Sequence, residues 1–419
     1  MITASDEQPA AETPETETPL PPLFARRDGF DPIPELGRLR RQRPVTRMTH
    51  HWGVPVWVLT SHADVRAVLA DYQHFLSVMP PYCAGSAGDG GETDAEGGDG
   101  PSVPGAGMFV SYDPPEHTRI RRMLTPEFTA RRLARLESWI KSSVDEHLDA
   151  MERSGAPADL VEAFAMPLPF LVICELFGVP DSDRGGLIPL SKQWTNISLP
   201  VEDRLAASDQ MVAYMLDFIK SQRVSPGDGV VGTLTRDHGG ELSNREIAGI
   251  SQLMLIAGYE TTASTLSLGT LLLLRDPRHV RLLFEGDKQL DHVCEELLRY
   301  LSVAHNTFPR VAKEDVTIGG QRIKAGDLLI CALPIANRDE ALGEDMDSFD
   351  PTREISQHVV FGHGIHYCIG APLARLEVRI ALPALFQRFP GLRLAVPFEE
   401  IRWSANTNFY GLQSLPVAW

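Results

Sequence analysis

Phe361-Gly362-His363-Gly364-Ile365-His366-Tyr367-Cys368-Ile369-Gly370 is the densest chemical signal in this 419-residue chain. Its glycines permit backbone conformations and close approaches that side chains forbid. A helix-forming run, Ala371 to about Arg388, follows at once, so a helix N-terminus points at the Cys368 sulfur. Unpaired N–H groups and the helix dipole stabilise an anion there, which is how a cysteine becomes a thiolate and a metal ligand at neutral pH. A structural cysteine in a tight turn, or a catalytic nucleophile, would also suit such a loop. Pro383 falls inside the following helix and is expected to kink it or end it early.

The remaining cysteines, Cys83, Cys174, Cys294 and Cys331, bring the total to five, odd in number and widely scattered. That is no disulfide framework, and no CxxC pair suggests zinc or a covalently attached cofactor. Hydrophobic content of 43% against 23% charged suffices for a large core. The net charge of -17 argues against nucleic acid, because phosphate binding needs concentrated Lys and Arg. No apolar run reaches membrane-spanning length, and Met1 to Glu17 are acidic and Pro-rich, the opposite of a secretion signal. A cytoplasmic protein is expected.

Working outward, the chain reads as mainly α with a small β region. A disordered tail, 1–22, precedes one domain, 23–419, interrupted by a mobile Gly/Asp-rich surface loop, 84–107, too polar to order itself. Val54 to Leu59 reads as a strand, with Ser61 and Asp64 opening a helix. Val316-Thr317-Ile318 and Gln321-Arg322-Ile323 flank a Gly319-Gly320 turn as a hairpin, and Leu328 to Leu333 continues as a strand. Asp113-Pro114-Pro115-Glu116 predicts a helix with Asp113 as N-cap and Pro at its first position. That helix sets His117 and Arg121 on one face. A longer helix starts at Ser243, capped with Glu246, and runs to Arg275 before Asp276-Pro277; at 1.5 Å per residue it is roughly 45 Å long. It is apolar nearly all round, the mark of a helix through a large core.

Inside that helix lies Ala257-Gly258-Tyr259-Glu260-Thr261-Thr262. An interior Gly costs about 1 kcal/mol relative to Ala, so Gly258 suggests a gap for a flat cofactor or a small gas. Thr261 can bond back to the Ala257 carbonyl, and an acid beside an alcohol is expensive in a core unless paired. Glu296 and Arg299 form an i, i+3 pair, a spacing more often found on solvated faces.

These segments together resemble the cytochrome P450 superfamily, from about Pro21 to Trp419, and most closely its soluble actinobacterial members that take electrons from a separate ferredoxin. The resemblance implies the P450 fold, with haem b held between the long central helix and the cysteine loop and its helix. Cys368 would be the axial ligand of the iron, and Glu260 with Thr261 would relay protons to dioxygen. His117, Arg121, Arg310 and His366 would hold the propionates. Ala257, Gly258, Phe361, Gly362, Ile369, Gly370 and Ala374 would line the cofactor. Glu296, Arg299 and Arg353 would form a buried structural triad behind the ligand loop. Leu253, Ala257, Val303, Asn306, Thr307 and Phe409 would meet an apolar substrate of moderate size.

The implied activity is a monooxygenase of secondary metabolism, hydroxylating or epoxidising, fed by NAD(P)H through ferredoxin reductase and ferredoxin. No nucleic acid or membrane partner is expected, and the protein is expected to be monomeric. Arg119, Arg122, Arg131, Arg132 and Arg135 offer either a solvated face or a dock for an acidic ferredoxin. A peroxide-driven oxidase or decarboxylase on the same fold, or a non-catalytic haem-binding sensor or partner protein, are the competing readings. The retained Glu260 and Thr261 argue against both. The polar stretch 84–107 is longer than such a lid segment usually is, and Tyr259 stands where His is common.

Overall fold

The longest apolar run sets the architecture. The computed structural model describes residues 27–49, 54–78, 106–196, 199–354, 357–404 and 409–419, and in it this run is one helix, Asn244–Leu274. The tail 1–22, Cys83 and nearly all of the stretch 84–107 lie outside the described residues. The helices that position the site are α1 (His62–Ala70), α2 (Glu116–Leu124), α3 (Ala130–Ser154), α4 (Pro167–Phe177), α5 (Val201–Val224), α6 (Asn244–Leu274), α7 (Asp287–Leu301) and α8 (Ala371–Arg388).

The cap on α6 forms as its sequence predicts. Ser243 Oγ accepts the Glu246 N–H at 3.1 Å, and the Glu246 carboxylate accepts the Ser243 N–H at 2.9 Å. Helices α4, α5 and α8 pack around α6, so most of its side chains are buried. The break comes mid-helix. Ala257 is exposed, and Gly258 and Thr261 are half-buried; at i, i+1 and i+4 they share one face. That face meets an internal cavity.

A mixed sheet of β1 (Val45–Thr49), β2 (Pro55–Leu59), β3 (Phe75–Ser77), β4 (Arg310–Ala312) and β7 (Leu328–Cys331) lies in the order β1-β2-β7-β4-β3, with only β2 and β7 parallel. The hairpin β5 (Val316–Ile318) and β6 (Gln321–Ile323) closes through Gly319 and Gly320, both at positive φ, as its two-residue glycine turn requires.

Local expectations fail where tertiary contacts compete. Helix α2 opens at Glu116 with Pro115 as N-cap, not at Asp113. The Asp113 carboxylate instead accepts the Ser77 N–H of β3 at 3.1 Å, tying the sheet to this segment. Strand β7 stops at Cys331, because Pro334 falls in the first turn of a short helix that starts at Leu333. Helix α8 does not end early at Pro383 but continues to Arg388, its buried side chains packed against α3 and α6.

Candidate functional site

The ligand loop is shaped by its glycines. Gly362 and Gly364 have φ of 71° and 72°, and a Cβ on Gly364 would lie 2.4 Å from the Leu69 carbonyl oxygen of α1. Only glycine fits there. The Cys368 N–H donates to the Phe361 carbonyl at 2.9 Å, closing the loop. Gly370 caps α8, whose first residue is Ala371. Burial pushes the Cys368 thiol up, while the Gly370 N–H, the Arg121 guanidinium and the Ala371 N–H oppose that shift. The sulfur lies deep in the molecule yet is accessible, because it faces the cavity. Cys174, Cys294 and Cys331 are buried, and burial pushes their thiols to about 12, 12 and 11. They are inert core residues.

The cavity holds about 1590 Å³ of space unfilled by protein, part of it continuous with solvent. Its α6 wall carries Leu253, Ala257, Gly258 and Thr261; the facing wall carries Phe361, Gly362, His366, Cys368, Ile369, Gly370 and Ala374. Arg121, Arg310, Val303, Thr307 and Phe409 also line it, whereas His117, Glu260 and Asn306 do not. His117 stands just behind, its ring 4.3 Å from that of His366. Glu260 is buried in the body of α6. Asn306 turns its amide to the Thr307 carbonyl at 2.6 Å. Thr261 Oγ1 donates to the Ala257 carbonyl at 2.9 Å, as expected of a helical threonine. Gly258 differs from expectation, since a Cβ there would meet Ile173 Cδ1 of α4 at 3.0 Å. Its smallness therefore serves helix packing as well as the cavity wall.

One end of the cavity concentrates cations. Arg121 donates to the Tyr367 carbonyl at 2.6 Å, and Arg310 to Ser77 Oγ at 3.1 Å and the Phe308 carbonyl at 2.9 Å. Neither has a carboxylate partner within 4 Å among the described residues. Burial, then Arg121 and Arg310, hold His117 down at about 4; burial, then Arg310, His117 and Arg121, hold His366 at about 3. The Nε2 atoms of both are buried without a hydrogen-bond partner. Buried polar atoms are normally satisfied, so two guanidiniums and two orphaned imidazoles call for a bound anion. A planar dicarboxylate with its metal over Cys368 fits this donor set.

Behind the loop, Arg299 is fully buried and Glu296 nearly so. Arg299 grips Glu296 through two bonds of 2.7 and 2.8 Å. It also donates to the carbonyls of Asn337, Met346 and Ser348 at 2.8–2.9 Å. Arg353 Nε reaches Glu296 at 3.5 Å and clamps the Glu344 and Asp345 carbonyls. Asn337 Oδ1 in turn accepts the Val359 N–H at 2.7 Å, two residues before Phe361. The expected triad thus forms and connects to the ligand loop.

The basic run is less free than its sequence suggests. Arg119 pairs with Glu246 and Arg132 with Glu127. Arg122, Arg131 and Arg135 have no ion pair among the described residues. Sequence reasoning also passed over Glu377, the acid that lines the cavity. Its place among Leu373, Val378, Ala381 and Leu382 on the buried face of α8 was the available signal.

A family model described as Cytochrome P450 matches residues 231–392. The chain is 41% identical over 404 residues to "Cytochrome P450 165B3" of Amycolatopsis orientalis, covering 95% of this chain and 98% of that protein. The chain belongs to the cytochrome P450 family. This P450 is also 38% identical over 387 residues to "Mycinamicin IV hydroxylase/epoxidase" of Micromonospora griseorubida, covering 91% and 94% of the two chains. Among solved structures it is similar to P450 StaH from biosynthesis of the glycopeptide antibiotic A47934, with a TM-score of 0.85, 41% identity and coverage of 96% and 100%. The mainly helical P450 fold and the class of oxidoreductase, a monooxygenase, follow. Family membership implies haem and dioxygen. No helix among the described residues is long and apolar enough to cross a membrane.

Proposed function

We propose that residues 23–419 form one haem-thiolate domain that inserts an oxygen atom into an apolar, moderately sized substrate of secondary metabolism, by hydroxylation or epoxidation. Two electrons come from NAD(P)H through ferredoxin reductase and ferredoxin, and the second oxygen atom leaves as water with two protons. The enzyme acts as a cytoplasmic monomer. The observation that carries this reading is the cavity with the Cys368 sulfur on one wall and Thr261 on the other, between apolar sides. Mycinamicin and glycopeptide pathways supply the similar proteins named above, which supports secondary metabolism.

Haem b, when bound, supplies the reducible iron at which dioxygen is split, and a thiolate ligand favours that cleavage. The protein's own residues do the rest. The α8 N-terminus and Arg121 stabilise the Cys368 thiolate, while Arg121, Arg310, His117 and His366 neutralise the propionates. Leu253, Val303 and Phe409 exclude water and hold the substrate by apolar contact. Thr261 presents its hydroxyl oxygen to the cavity, with Glu260 next to it in sequence as the acid of the relay. Arg122, Arg131 and Arg135 remain to steer an acidic ferredoxin.

Turnover of a substrate found by binding-difference spectra should require ferredoxin, its reductase and NAD(P)H. Equal rates with hydrogen peroxide alone would overturn the monooxygenase route in favour of a peroxide-driven one.

A further inference from the structure

A charged cluster distinct from the Glu296–Arg299–Arg353 triad joins α7 to α8 beside the ligand loop. Glu295 of α7 receives the Arg375 guanidinium of α8 as a fork: Nε donates to Oε1, and Nη2 to Oε2 at 2.9 Å. His358 Nε2 lies 3.1 Å from the same Oε2. Burial alone would push the Glu295 carboxyl up, but the bonds from His358 and Arg375 outweigh it and hold it at about 2. Glu295 is therefore an anion, and Arg375 a permanent cation.

Of this pair it is the cation that reaches the loop. Its guanidinium carbon stands 4.6 Å from the centroid of the Phe361 ring, within the range of cation–π attraction. Its third nitrogen, Nη1, donates to Tyr367 Oη at 3.3 Å. The Tyr367 ring in turn meets Phe361 edge-on, with 6.3 Å between centroids. Phe361 accepts the Cys368 N–H, and Tyr367 is the residue before Cys368. Arg121 and, more weakly, Arg375 are the guanidiniums that favour the anionic form of Cys368. Arg121 lines the cavity, where propionates would neutralise it. Arg375 does not line it, and Glu295 is its carboxylate partner among the described residues.

We propose that Arg375 is a positioning residue for electron entry: held against Phe361 by Glu295, its charge favours reduction of the iron bound to Cys368, while Glu295 offsets part of that charge. It rests on the reading that Cys368 holds haem iron. One electron from the donor turns ferric iron into ferrous, no bond breaks, and the negative charge gained is what Arg375 stabilises. Attraction between partly buried groups persists where exposed charges would be screened. A mere clamp between α7 and α8 would affect haem retention and stability, but its two members would not move the potential in opposite directions.

The test is a spectroelectrochemical titration of the substrate-free holoenzyme against a reference dye. Arg375→Gln leaves the carboxylate behind and should shift the reduction equilibrium several-fold toward ferric iron. Glu295→Gln leaves the cation behind and should shift it several-fold toward ferrous iron, and the double variant should return close to the wild type. Arg375→Lys keeps the charge without the fork, so its shift should have the sign of Arg375→Gln at smaller size; it carries the test if Arg375→Gln cannot retain haem. The ferrous–CO spectrum of each protein checks the ligand. With a red-shifted Soret band throughout, arginine and glutamate variants that fail to move in opposite directions overturn this inference alone. A wild type without that band overturns the site reading and this inference together.

Discussion

Arg299→Ala should destabilise the protein by about 3–5 kcal/mol, the cost of breaking a buried ion pair by deleting one partner. Arg299 is fully buried and makes five hydrogen bonds of 2.7–2.9 Å. Without it, Glu296 keeps the Asp350 N–H at 2.9 Å and a long contact to Arg353 at 3.5 Å, so its charge is only partly compensated. Three carbonyls also lose their donor, at about 1–3 kcal/mol each where water cannot replace it. The void left by the side chain admits some water and keeps the total near the upper half of the first range. Arg299→Lys should recover only a minor part, because a point charge cannot reproduce a planar fork that serves the Glu296 carboxylate and three carbonyls at once. Arg353→Ala, at the more exposed arginine of the triad, which meets Glu296 only at 3.5 Å, should cost about 1 kcal/mol. The assay is urea unfolding followed by tryptophan fluorescence and by Soret absorbance, since haem release need not coincide with unfolding. The Soret transition should fall at least as far as the fluorescence one, because the network reaches Val359 and the ligand loop through Asn337. A loss under about 1 kcal/mol, or full rescue by lysine, would refute the structural role assigned to the triad.

Further outcomes follow from other buried groups. His305 is 3% exposed, both ring nitrogens lack partners, and burial followed by Arg27 holds it at about 3 against the ordinary 6.5. Below that ordinary value the unfolded chain takes a proton the folded chain refuses, so stability falls with pH; His305→Leu should spare about 2 kcal/mol of the loss between about pH 7 and pH 5, and an unchanged acid limb in urea melts would contradict it. Gly364→Ala should displace the ligand loop from α1 and lower haem retention during gel filtration, whereas full haem content would mean the 2.4 Å approach is relieved elsewhere. Replacing Arg122, Arg131 and Arg135 together should weaken ferredoxin-supported turnover and its salt sensitivity; a rate unaffected by both would remove the docking role.

The parts legible from sequence were those written in local chemistry. The glycine-flanked Cys368 loop, the Ser243–Glu246 cap and the Gly319-Gly320 hairpin each follow from residues within a few positions of one another, and each forms. The Glu296–Arg299 pair was legible only as a spacing; what buries it, the carbonyls of 337–348, comes from far along the chain. The same long-range competition explains the failures. Asp113 has a cap's chemistry, but Ser77 claims its carboxylate. Arg119 and Arg132 look free until Glu246 and Glu127 arrive beside them. Pro383 should break a helix, yet packing on two sides carries α8 through it. Glu377 was missed because a lone acid on an apolar helix face carries no partner in the sequence, and its significance is the cavity opposite.

The account stands on the Cys368 sulfur as the iron ligand. Reduce the purified holoenzyme under carbon monoxide and compare it with Cys368→Ser. The wild type should show the strongly red-shifted Soret band of a thiolate-ligated haem, and the variant should lose it while the fold, checked by far-UV circular dichroism, persists. A red-shifted band that survives in Cys368→Ser, or a wild type that binds no haem, would contradict the account.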